Sequence, residues 1–111
     1  MGASNGGYVT RKKVVTIATA VADSTEIPYQ DVEHAAVTLD AGTAPTTLTF
    51  YGATEQGGTF YPVYTSANAL VTRTVVHTRG YAFPDECKGF ASIKITGNVA
   101  GTGVVSSKAV Y

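Results

Sequence analysis

Tryptophan is absent from this chain, and cysteine and methionine occur once each among its 111 residues. A lone thiol, Cys87, excludes an intrachain disulfide and any multi-cysteine metal site, which leaves small-residue packing as its expected role. The missing tryptophan removes the largest aromatic platform for stacking on a sugar ring. Charge is scarce as well: Asp, Glu, Lys and Arg make up 14% of the chain, against about 25% in an average soluble domain. The eight basic and eight acidic residues cancel, so the chain lacks the net positive charge that drives phosphate binding, and nucleic acid is not expected as a partner. No apolar run approaches the roughly 18 residues of a membrane span, and the start, MGASNGGYVTRKK, has no signal-peptide core. No membrane partner is expected, and synthesis in the cytoplasm is.

Helical periodicity of normal length is lacking too, and strand patterns fill its place. Residues 1–10 carry Gly2, Gly6 and Gly7 with no apolar rhythm and are expected to form a flexible arm; residues 11–111 are expected to form a single domain. Residues 12–19, KKVVTIAT, are rich in β-branched residues suited to a pleated surface. Thr25–Tyr29 predicts a short strand edged by Pro28, and residues 33–40 a third strand, followed by a loop through Asp40, Gly42 and Pro45. In TLTFYGATEQGGTFYPVY, residues 47–64, two alternating runs flank a turn at Gln56, Gly57 and Gly58, the pattern of a hairpin. Leu48, Phe50 and Phe60 are expected in the core, and Tyr51, Tyr61 and Tyr64 at the rim. After a turn at Ser66, Ala67 and Asn68, residues 69–76 predict another strand.

His77–Gly80 then turn the chain into Tyr81–Phe83, and Pro84–Cys87 predict a short helical turn, with Phe90 buried beneath it. ASIKIT, residues 91–96, alternates most regularly: Ala91, Ile93 and Ile95 on one face, Ser92, Lys94 and Thr96 on the other. Val104–Tyr111 closes the chain as a last strand. About eight short strands and a helical turn near residues 84–88 specify an all-β, antiparallel β-sandwich. Jelly-roll-like and immunoglobulin-like strand orders share this alternation, and the pattern leaves both open.

Chemistry is sparse. Cys87 beside His34 or His77 would make a nucleophile pair, yet Asp85, Glu86 and Lys88 around it suit an exposed turn and match no cysteine-enzyme signature. Asp31, Glu33 and His34 form the closest set of metal ligands, without diagnostic spacing. No catalytic, cofactor or metal residue is assigned, and no enzyme activity is expected. Arg11, Lys12 and Lys13 are the one basic cluster: a contact for an acidic partner, or a solvated strand entry. Tyrosines concentrated on the hairpin suit a protein contact, since a Tyr ring joins apolar area to a polar tip.

The hairpin, followed by ALVTRTVV and then GYAFPDECKGFASIKI, resembles small β-sandwich structural proteins of tailed bacteriophages, of the capsid decoration or cement type. The resemblance covers about two thirds of the chain and begins after its first thirty residues. It implies a virion component on the capsid surface that binds the major capsid protein and stabilises the shell, a homo-oligomer with a trimer favoured over a dimer, and no cofactor. Tyr8, Arg11, Tyr51, Tyr61, Tyr64 and Tyr111 are the candidate contact residues, and residues 1–10 and the C-terminal strand are expected at intersubunit contacts. A phage tail or head-fibre module, or a carbohydrate-binding β-sandwich, is the alternative.

Overall fold

The computed structural model describes residues 8–39, 45–76 and 79–110. The expected arm up to residue 7, the loop at 40–44, His77 and Tyr111 lie outside the described residues. Nine strands run β1 (Tyr8–Ile17), β2 (Ile27–Pro28), β3 (Val32–Leu39), β4 (Thr47–Ala53), β5 (Tyr61–Pro62), β6 (Thr72–Thr74), β7 (Gly80–Ala82), β8 (Ser92–Gly97) and β9 (Gly101–Val110). The only helices among the described residues are 3₁₀ turns at Val21–Asp23 and Asp85–Cys87. The second is the helical turn expected from sequence, with Pro84 standing just before it as the N-cap.

One sheet has the order β1-β9-β3-β7 and the other β2-β8-β4-β5, with β6 also paired to β4. All these pairings are antiparallel. β5 and β6 lie end to end along the same side of β4: Pro62 is opposite Tyr51, and Thr72 is opposite Thr49. Between them the chain makes a small excursion, closed by a Tyr64–Leu70 bridge and by the Val71 N–H donating to the Val63 carbonyl at 2.9 Å. Its turn is the expected one, with the Asn68 N–H on the Thr65 carbonyl and Asn68 at φ 65. Counting β5 and β6 as one interrupted strand, the first strand pairs with the last, the second with the next to last, and so on inward. That is the jelly-roll order, which decides between the two alternatives left open by the alternation.

The core lies between the sheets. Val15, Ile17, Val37, Leu39 and Val105 face inward from the first sheet, and Ile27, Leu48, Phe50, Ile93 and Ile95 from the second. Burying each such side chain contributes about 1.5–3 kcal/mol. At one end Phe83 stacks on Tyr29 and meets Phe50 edge-on, both with ring centroids 5.5 Å apart. Leu48 and Phe50 take their expected core places. Phe60 does not: it is half-buried, and the Lys94 ammonium lies 4.9 Å from its ring centre. A cation over the ring face, together with the apolar stem of Lys94, holds Phe60 on the outside of the second sheet.

Three other expectations are corrected. β1 begins at Tyr8, so Tyr8–Thr10 belong to a ten-residue strand and not to the arm. β9, the expected last strand, is central, paired to β1 on one side and β3 on the other. β8 is more than half-buried: Ser92 and Thr96 on its second face are covered as well. The 3₁₀ turn at Val21–Asp23 packs there, and the Lys94 ammonium donates to the Val21 carbonyl at 3.2 Å. Phe90, expected beneath the helical turn, lies over Gly52 of β4.

Candidate protein interface

The two long sides of the sandwich differ. Where β7 meets β6, the Arg73 guanidinium reaches across and donates to the Ala82 carbonyl at 3.1 Å, while the Val76 N–H donates to the Tyr81 hydroxyl at 2.8 Å. The first uses the outward backbone of β7 and the second the side chain of Tyr81, and together they clasp the sheets. On the same side the hairpin presents its tyrosines. Tyr61 is 66% exposed, Tyr64 50% and Leu70 43%. Tyr51 is half-buried. The register puts Tyr51 with Pro62 on the outer face of β4 and β5, and Tyr61 with Gly52 on the other. Tyrosines therefore wrap both faces of this edge.

Val63 is buried: its N–H donates to the Phe50 carbonyl at 3.0 Å, so it continues the pairing with β4 and shares the inward parity of Phe50 and Gly52. Alternation within residues 60–64 thus misassigns Phe60 to the interior and misses Val63. Leu70 is an exposed apolar residue that sequence reasoning passed over; it lies within an apparently regular strand, but its bridge to Tyr64 sets it on the excursion.

The remaining candidates are not brought to this edge. Arg11 sits in β1 on the first sheet, opposite Ser107, and Tyr8 pairs with Val110 at the far end of the same strand. Apart from Lys12 at the β1 edge, these outward rows of the first sheet are small and neutral: one runs Val14, Val104, Thr38 and Gly80, the next Lys12, Ser106, Ala36 and Ala82. Threonines do the same on the second sheet, where Thr49 lies between Thr72 and Thr96. The low charge of the sequence is thereby expressed as two flat faces with little repulsion toward another surface.

Nothing at Cys87 favours nucleophilic chemistry. Its side chain is buried in the core, and burial, helped by the neighbouring Glu86 carboxylate and opposed by Arg73, pushes the thiol up to about 12. It stays protonated at neutral pH and packs as a small apolar group, as the sequence suggested. Among the described residues no three His, Cys, Asp or Glu side chains gather as metal ligands. Glu26 is a carboxylate that the fold sets between the hairpin turn and β8. It accepts the Gly57 N–H at 2.8 Å and the Ser92 hydroxyl at 2.7 Å on the same oxygen, and these bonds, aided by Lys94 and Lys13, hold it below the usual range. Its work is structural: it ties the hairpin turn to β8.

No protein-family model matches the sequence, and no curated protein matches it. Among solved structures the chain is similar to the SPBc2 prophage-derived protein YomS, with a TM-score of 0.52 and 14% identity over 93% of this chain and 96% of that one. It is also similar to a structure from Bacillus endospore appendages, which form disulfide-linked pili, with a TM-score of 0.44 and 22% identity over 100% of this chain and 93% of that one. At 14% identity the likeness to YomS is one of fold, and it extends over nearly the whole of both chains.

Proposed function

We propose that this chain is a non-enzymatic structural protein of a bacteriophage virion, a capsid decoration protein that binds the major capsid protein shell and stabilises it. The observation that carries the reading is the tyrosine-wrapped edge, where Tyr61, Tyr64 and Leu70 stand exposed together. Exposed aromatics of this kind supply contact area at low entropic cost, and they gain most when a partner covers them. The sequence resemblance to decoration proteins, and a fold shared with a prophage-derived protein, support the same reading. Decoration works by mass action: subunits that bind only the assembled shell shift it toward the assembled state.

Proteomics on purified particles, with low-resolution imaging of where the protein sits, tests this reading. The protein is expected on the capsid surface, and a Tyr61→Ala, Tyr64→Ala double variant is expected to fold normally but to occupy far fewer sites. Absence of the wild-type protein from mature virions overturns it.

A second reading, a carbohydrate-binding sandwich, draws on one observation. A cleft of about 590 Å³ opens at the loop end of the sandwich, where Asp31, Glu55, Gln30 and Gln56 stand around Phe90. Carboxylates and amides beside an aromatic ring suit sugar hydroxyls. Reproducible hits on a glycan array, lost on Glu55→Ala, favour this reading over the first.

A further inference from the structure

β1 is an edge strand, and its free side contrasts with the clasped edge of β7. The backbone of Thr16 points away from β9: its N–H donates to the Thr25 hydroxyl at 2.8 Å, and its carbonyl accepts the Thr25 N–H at 3.1 Å. Alternate residues of a strand share that direction, so Thr10, Lys12 and Val14 also aim their N–H and C=O groups outward. Among the described residues nothing pairs with them. On the opposite side of the sandwich the Arg73 clasp covers the corresponding edge of β7. Here the two sheets stand apart, leaving a groove of about 260 Å³ with Ile27, Pro28 and Val105 as its floor and Arg11 and Lys13 along its rim.

Charge selects the occupant. Arg11, Lys12 and Lys13 are all exposed, and none has a carboxylate within ion-pair distance among the described residues. A second copy pairing β1 against β1 about a two-fold axis would set these three cations against their counterparts, which disfavours self-pairing. An acidic strand meets the reverse situation. Main-chain bonds to Thr10, Lys12 and Val14 would supply affinity, while carboxylates on alternate residues lie beside Arg11 and Lys13 and β-branched side chains lie beside Val14, which is 69% exposed. We propose that the β1 edge takes an extended acidic segment of a partner protein by strand addition. This surface lies across the molecule from the tyrosine edge and does not depend on the virion reading.

The test is a titration of isotope-labelled protein with a capped octapeptide of alternating glutamate and valine at low salt. Amide signals of Thr10, Lys12 and Val14 are expected to shift and to gain protection from exchange. The matching lysine–valine peptide is expected not to bind, and Arg11→Glu with Lys13→Glu to weaken the glutamate peptide by about tenfold or more. The milder Lys13→Ala variant is expected to fall between the two. Equal binding of both peptides, shifts confined to another surface, or unchanged affinity in the variants overturns the proposal. So does self-association of the free protein through β1 in a dilution series, which assigns the edge to a second copy.

Discussion

Gly52 and Phe90 show how single residues fix the hairpin end of the sandwich. A Cβ placed on Gly52 would lie 2.5 Å from the Phe90 ring, closer than any real contact, so the ring occupies the space a side chain would need. Phe90 is held to β4 by its neighbour as well, since the Ala91 N–H donates to the Ala53 carbonyl at 2.9 Å. Gly52→Ala is therefore expected to push Phe90 off the core and to cost about 1–3 kcal/mol, read as a lower denaturant midpoint without a change in slope. Phe90→Ala in the same background should recover part of that cost, because it removes the clashing ring; a fully additive double variant would contradict this packing. Gly57 illustrates a different requirement. It sits at φ 74 with open space around it, so backbone conformation and not crowding reserves the position for glycine.

Elements were legible where their signals are local. The alternation of Leu48 and Phe50, the inward Ile93 and Ile95 of ASIKIT and the proline before Asp85–Cys87 each depend on neighbours a few residues away, and each appears as expected. Phe60 failed because its partner, Lys94, is distant in sequence, and the 69–76 run forms a regular strand only over Thr72–Thr74, since Leu70 bridges to Tyr64 instead. Glu26 was silent for the same reason: its partners are Gly57 and Ser92, which only the folded chain brings together. Holding the Glu26 carboxyl below its unfolded value favours the ionised form in the fold. Its contribution to stability is thus complete above about pH 4.5 and is lost as pH falls through the folded value. Glu26→Gln keeps an oxygen acceptor but loses the charge, and is expected to cost about 1 kcal/mol at neutral pH. Denaturation at a series of pH values should show the gap between wild type and variant closing below about pH 4.5; a gap independent of pH would assign the loss to geometry instead of charge.

At the scale of the molecule, the two long sides carry opposite solutions to the same problem. Both leave a sheet edge beside a gap between layers; one is clasped by Arg73 and faced with tyrosine, the other is left open and rimmed with cations. Strand order decides this arrangement, and it could not be read from alternation because a jelly roll and an immunoglobulin-like sandwich bury the same residues on the same faces. It also revises where the N-terminal segment begins to matter. Since Tyr8 is already paired with Val110, removal of residues 1–7 leaves every ladder bond of β1 in place, whereas truncation beyond Lys13 strips β9 of its partners from Val105 to Val110. The shorter deletion is expected to unfold at the denaturant midpoint of the full chain, and under the proposed capsid role to lower occupancy on purified virions, which would assign residues 1–7 to binding and not to the isolated fold. The longer deletion is expected to lose stability before any question of binding arises. Unchanged virion occupancy after removal of residues 1–7 would restrict the capsid contact to the folded sandwich, with the tyrosine edge as its remaining surface.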